Sequence, residues 1–440
     1  MRLSVNPFIF GRALVPEEFV GRERELPRLF SRLATGQSVA VIGQPHIGKT
    51  SLIKFVLDPD VRRALLGNQF ERDLFSFLDA QMLNSIQDQA SFWKTALEPV
   101  VVSLQLSKSA DLQPFSKALE IAKQNNFGSF VLEQFFRSLC KSGVRLFLFL
   151  DEFDAFLAHP GLNSAEFYGS LRALTSHSGG LVIVIASRLS LEKLNQLTQE
   201  INPHGSPYFN VFTTLDLGAL SERELQKLLD RAGDRFSVVD REYVKRVSGG
   251  HPYLAQTAAA MLWEAAEEGT TGAARFEAAG RDHYWQTRQH FSDTWRVWSR
   301  STRKVITCIA LGQIPELLGN YHFNTSAWVE DLSDYRLELD ALEVSGVLTQ
   351  TNDKDWRIKQ EALLWWLADE LIKTVRDDVA FKEWLLAQEM DGLFTNEQRQ
   401  QIGQTAKKIV EITGRGAMTL VDSLAKSLGE GLGKGISGVS

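Results

Sequence analysis

Apolar residues fall in short runs set between longer helical stretches over the first half of the chain, and in helical periods after that. Ser38-Val39-Ala40-Val41-Ile42 predicts a buried strand, and Ser51-Leu52-Ile53-Lys54-Phe55-Val56-Leu57 predicts a helix just beyond a glycine-containing loop. Further buried strands are predicted at Leu74 to Leu78, Val144 to Leu150, Leu181 to Ala186 and Phe209 to Leu217. Strands alternating with helices imply βαβ crossovers, hence a parallel sheet covered on both faces. This α/β domain is placed at 19–217, after an N-terminal segment 1–18, and residues 19–33 lead into its first helix.

Residues 218–299 read as entirely helical. Ser221-Glu222-Arg223-Glu224 has the form of a capping box, and Gly249-Gly250-His251-Pro252 parts two helices, so a helical lid or arm is expected. In 300–372, helices lead to Gly346-Val347-Leu348-Thr349-Gln350, a polar turn Asn352-Asp353-Lys354-Asp355, then Trp356-Arg357-Ile358 and a last helix, the order of a winged helix. The remainder, 373–440, is helical and ends glycine-rich.

Composition narrows the class. At 440 residues, with 44% hydrophobic and 23% charged, the chain suits two or three globular units rather than a disordered or fibrous one. A net charge of −6 gives no global field for nucleic acid or an anionic membrane. Cys140 and Cys308 are too few and too far apart for a disulfide framework or a metal knuckle, and Cys140 is expected on an apolar helical face. With no export signal in Met1 to Pro7 and no run of about 18 apolar residues, the expectation is a cytoplasmic protein.

The candidate chemistry begins at Gly43-Gln44-Pro45-His46-Ile47-Gly48-Lys49-Thr50, which follows a predicted strand and opens a predicted helix. In the pattern GxxxxGK[ST], glycines let successive backbone N–H groups surround phosphates while the helix presents its positive end. Lys49 is placed to reach the β and γ phosphates and the Thr50 hydroxyl to ligate Mg²⁺. The whole octet and Ser51 are therefore assigned to bind ATP or ADP, with the His46 side chain facing solvent. The strand Leu146 to Leu150 ends in Asp151-Glu152 at the edge where α/β sheets bind ligands. Asp151 is assigned to the Mg²⁺ shell and Glu152 to orienting and deprotonating a water, whereas Asp154 reads as a helix cap. Arg188, just past Leu181 to Ala186, is placed to meet the γ-phosphate. The eight histidines show no zinc grouping, and Ser187 and Ser51 lack a His/Asp constellation.

Together these residues resemble the STAND class of signal-transduction ATPases and their AAA+-like prokaryotic relatives, over roughly residues 6–372. Phe19-Val20-Gly21-Arg22-Glu23 resembles the hhGRE motif, which implies that Val20, Gly21 and Arg22 frame the adenine. Gly43 to Thr50 and Leu146 to Glu152 match Walker A and Walker B, Ala186-Ser187-Arg188 is similar to sensor 1, and Gly250-His251-Pro252 to a GxP motif in which Pro252 starts a helix under the nucleotide. The resemblance implies a slowly hydrolysing switch that forms a homo-oligomer on ATP binding and activates an effector. No TPR, WD40 or leucine-rich array follows residue 372, which implies a partner protein as trigger or effector, or a role for the short C-terminal region.

The alternative is a DNA-associated ATPase of the archaeal or origin-recognition type, and a third reading is a nucleotide-binding scaffold without turnover. Residues 301–372 carry six Arg or Lys against twelve Asp or Glu, the wrong sign for phosphate contacts. In the tail, Leu420, Leu424, Leu428, Leu432 and Ile436 form a ridge with small-xxx-small glycine spacings. Residues 416–440 are open to two readings, a segment that self-associates or enters a membrane and a frayed terminus following a packed helix at 400–428.

Overall fold

The structure, a computed structural model, describes residues 5–106, 113–203, 205–317, 330–352, 355–374, 378–390, 392, 394–397, 399–400, 403–404 and 417–437. Two compact units share the chain: one of Ala13–Gln44 and Gly48–Leu217, the other of Met1–Arg12, Pro45–Ile47 and Gly218–Ser440.

The first unit is built on five parallel strands, β1 (Val39–Gly43), β2 (Leu74–Asp79), β3 (Leu146–Asp151), β4 (Leu181–Ser187) and β5 (Thr213–Leu217), in the order β2-β3-β4-β1-β5. Every residue of β3 and β4 is buried, which is why both read as unbroken apolar runs: helices cover both faces of a parallel sheet. The edge strand β5 alternates instead and is shorter than its apolar run, because Phe209 and Phe212 pack as core aromatics before the strand begins. Eight helices accompany the sheet among the described residues: α1 (Glu25–Ala34), α2 (Lys49–Leu57), α3 (Pro59–Leu66), α4 (Gln89–Leu106), α5 (Gln113–Gln124), α6 (Ser129–Lys141), α7 (Ala165–His177) and α8 (Leu191–Gln199). An aromatic core including Phe92, Trp93, Phe136, Phe156 and Phe167 lies under one side of the sheet. Cys140 departs from the expected apolar face: it lies near the end of α6, is exposed, and its Sγ lies close to Gly179.

The second unit is mostly helical. It opens with α9 (Glu222–Leu229), whose Ser221 and Glu224 form the capping box, and continues through α10 (Val238–Ser248), α11 (Pro252–Glu267), α12 (Gly272–Val297) and α13 (Arg300–Leu317). The helix Arg336–Val344, an antiparallel pair Leu348–Gln350 with Trp356–Ile358, and the helix Glu361–Thr374 follow. Residues 353 and 354 of the expected polar turn lie outside the described residues. The N-terminal residues belong here too: Asn6 donates to the Ala260 carbonyl, the Ile9 N–H donates to Gln256, and Phe8 stacks on Phe236.

The chain's last described helix, Ala417–Ser437, is packed as the second reading of the tail expects but does not fray where that reading ends it. It runs on through the glycines and packs against α12, burying Leu424, Ala425 and Leu428, and Asp422 pairs with Arg281. Leu420 and Ile436 lie where side chains are outside the described residues, as do most positions of 400–416. Close approach explains two glycines: a Cβ on Gly280 would stand 2.3 Å from the Ala425 Cβ, and one on Gly429 would stand 2.3 Å from the Phe276 ring. No helix among the described residues is long and apolar enough to cross a membrane.

The two tail glycines Gly429 and Gly431 should respond to alanine in opposite directions. At Gly429 the clash with the Phe276 ring outweighs the better helix propensity of alanine, and urea unfolding should show a loss of about 1–3 kcal/mol. At Gly431 nothing lies within 4 Å, so alanine should add up to about 1 kcal/mol. Equal responses at the two positions would contradict this packing.

Buried histidine makes the second unit sensitive to acid. His283 on α12 is buried, neither ring nitrogen meets a hydrogen-bond partner among the described residues, and burial pushes its pKa down to about 3. Below pH 6.5 the unfolded chain binds a proton here that the folded chain refuses until about pH 3, so stability is complete above 6.5 and falls as pH drops. The slope from this group approaches 1.4 kcal/mol per pH unit. Urea titrations from pH 7 to 4 should show that His283→Leu removes close to one proton of this dependence.

Candidate functional site

Three chain segments converge at the C-terminal edge of the sheet in the first unit. The β1 strand delivers Gly43 and Gln44 into the glycine loop, and Gly48, at φ +99°, turns the chain into α2. That left-handed backbone has open space around it, so conformation rather than crowding demands glycine there. Lys49, the first residue of α2, is 5% exposed, and its Nζ donates to the carbonyls of Gly43 at 2.9 Å and Gln44 at 3.0 Å. Burial lowers its pKa, while Glu152, Asp154 and Asp151 act against that shift.

Although β4 lies between β1 and β3, the Walker pair meets directly: the Thr50 hydroxyl donates to the Asp151 carboxylate at 2.7 Å. Asp151 also accepts from the Glu152 N–H at 3.0 Å. Burial raises the pKa of both Asp151 and Glu152, against hydrogen bonding at Asp151 and against the charge of Lys49 at Glu152. Asp79, which pairs with Asp151 across β2 and β3, adds to the shift of Asp151.

Around α2 the hhGRE segment is anchored. Phe19 stacks on Phe55 at 4.5 Å, the Ser51 hydroxyl accepts from the Leu14 N–H, and buried Arg22 reaches Glu25. Val20 is half-buried beside Gly21, at φ +88°, and Arg22, at φ +65°. Among the described residues six that are not glycine have positive φ, and three of these, Arg22, His46 and Glu152, fall in the three segments assigned to nucleotide. Such backbone is costly and concentrates where ligands are handled.

Arg188 sits just beyond β4, with its Nε 3.8 Å from Glu152 and bonded to Asp154 at 2.8 Å. Asp154 therefore departs from its expected role as a helix cap: its carboxylate grips the arginine, a contact between residues 34 positions apart that sequence spacing did not reveal. In the second unit, Pro252 opens α11 after His251. There His46 is exposed, as expected, but its ring also stacks on Tyr253 at 4.8 Å, with His290 at 5.4 Å. Ile47 is buried, and Pro45 is half-buried.

The model of the AAA-like domain matches residues 26–277, more than half of the chain and from α1 into α12. The chain belongs to the AAA-like domain family. This AAA-like protein has a P-loop NTPase fold, and it is similar to the Walker-type ATPase PABY2304 of Pyrococcus abyssi at TM-score 0.52 and 13% identity, over 82% of this chain and 99% of that one. A structure of the Aeropyrum pernix ORC2 protein, described as ADPNP-ADP complexes, matches at TM-score 0.42 and 15% identity, over 81% and 97% of the two chains. No curated protein matches the sequence. At these identities the likeness speaks for the fold alone.

Proposed function

We propose that this AAA-like protein is a regulatory ATPase of the STAND type, which binds ATP with Mg²⁺, self-associates in that state and resets by slow hydrolysis. The observation that carries the reading is the 2.7 Å bond from Thr50 to Asp151, formed next to the buried Lys49 ammonium. A hydroxyl and a carboxylate are hard oxygen donors suited to Mg²⁺, which takes its remaining ligands from water and phosphates. No larger set of protein ligands is needed, and no cluster of three or more His, Cys, Asp or Glu able to hold a metal occurs among the described residues.

Mg²⁺ would screen phosphate charge at Thr50 and Asp151. Lys49 would bind the β and γ phosphates in place of the Gly43 and Gln44 carbonyls, and Glu152 would orient water and take its proton. Arg188 would stabilise charge on the γ-phosphate. Val20, Gly21 and Arg22 would frame the adenine. The excess of acidic residues over 301–372 supports a protein-facing role for that region over the DNA-associated alternative.

Light scattering in ADP and then in ATP with Mg²⁺ tests the switch. A defined oligomer should form in ATP, persist in Glu152→Gln and be absent in Lys49→Ala. A mass unchanged by nucleotide in all three proteins would overturn nucleotide-driven self-association.

A further inference from the structure

Asp154 has a role that neither Walker motif assigns. It lies in the 3-10 turn Phe153–Ala158, three residues beyond Asp151, with a side chain only 5% exposed. One carboxylate oxygen accepts from the Arg188 backbone N–H at 3.1 Å and faces the Ser187 hydroxyl at 3.4 Å. The other accepts from Arg188 Nε at 2.8 Å and Nη2 at 2.6 Å. The Ser187 hydroxyl in turn accepts from the Leu189 N–H at 3.0 Å. A single buried carboxylate thus fixes both the backbone and the guanidinium of the residue just beyond β4, the strand between the glycine-loop strand and the carboxylate strand.

We propose that Asp154 is a positioning residue that orients Arg188 toward the γ-phosphate and so sets the preference for triphosphate over diphosphate. This role rests on the ATPase reading above. A guanidinium on a flexible stem loses rotamer freedom when it meets a ligand, and a partner that has already fixed it removes that cost from the binding step. The Arg188 side chain is 36% exposed, accessible to a ligand at the sheet edge, whereas Asp154 is enclosed and acts through the arginine. ADP lacks the group that Arg188 addresses, so Asp154 should leave ADP affinity nearly untouched.

The test is calorimetric titration of the full chain with ADP and with a non-hydrolysable ATP analogue, both with Mg²⁺, for wild type, Asp154→Asn, Arg188→Ala and the double variant. Asp154→Asn and Arg188→Ala should each lower the ratio of analogue to ADP affinity about tenfold, the scale of one lost charge-assisted contact, with ADP affinity within about twofold of wild type. The double variant should be no worse than Arg188→Ala. If Asp154→Asn does not fold, Asp154→Glu carries the comparison, since it keeps the charge while displacing the oxygens and should still lower the ratio. A wild-type ratio in the folded Asp154 variant, or losses that multiply in the double variant, would overturn the positioning role alone. Wild type binding neither nucleotide would overturn the ATPase reading, and this role with it.

Discussion

Lys49→Ala is expected to weaken ATP binding by about 100-fold or more and to abolish measurable hydrolysis, because a phosphate contact of this kind is worth on the order of 3 kcal/mol. The ammonium is almost fully buried and currently spends two hydrogen bonds on the Gly43 and Gln44 carbonyls. Burial lowers its pKa, so the charged form is kept by surrounding carboxylates, with Glu152 contributing most. Phosphates would supply the anionic partner that the site is arranged to offer a cation. Alanine would remove that cation and leave Asp151 and Glu152 to face bound phosphates uncompensated. Fluorescent-nucleotide titration measures the loss, and an unchanged affinity would remove the loop from the binding site.

Glu152→Gln should separate the two halves of the proposed cycle, with ATP still bound and hydrolysis reduced about 100-fold or more, from the lower end of the usual range for removing a general base upward. The residue occupies left-handed backbone at φ +48°, which projects it from the end of β3 beside Arg188. Burial raises its pKa, making it a stronger base than an ordinary carboxylate. The base acts only when deprotonated, so the rate should fall as pH drops through that raised value, and this acid limb should vanish in Glu152→Gln. Single-turnover rates across pH 5 to 8 check both statements. A mutant as fast as wild type would assign the water to another group.

Much of the first unit was legible because its signals are local. β1, the glycine loop and α2 are contiguous, and β3 and β4 are apolar throughout because both faces are covered. Asp151 and Glu152 could be assigned from the end of their own strand. The partner of Arg188 could not, since Asp154 reaches it through the sheet order rather than through spacing. The same limit governs the tail. Gly429 suggests lost helix stability when read alone, but against Phe276 it is what permits the close crossing of the last helix over α12. Asn6 and Phe8 likewise have partners more than 200 positions away, which no local pattern announces.

Equilibrium titration of the wild-type chain with ATP, with and without Mg²⁺, tests the central claim most directly. The account predicts saturable binding of one nucleotide per chain, tighter with Mg²⁺ than in its absence, with the Mg²⁺ advantage lost in Asp151→Asn. A folded protein that shows no saturable binding in either condition would contradict it.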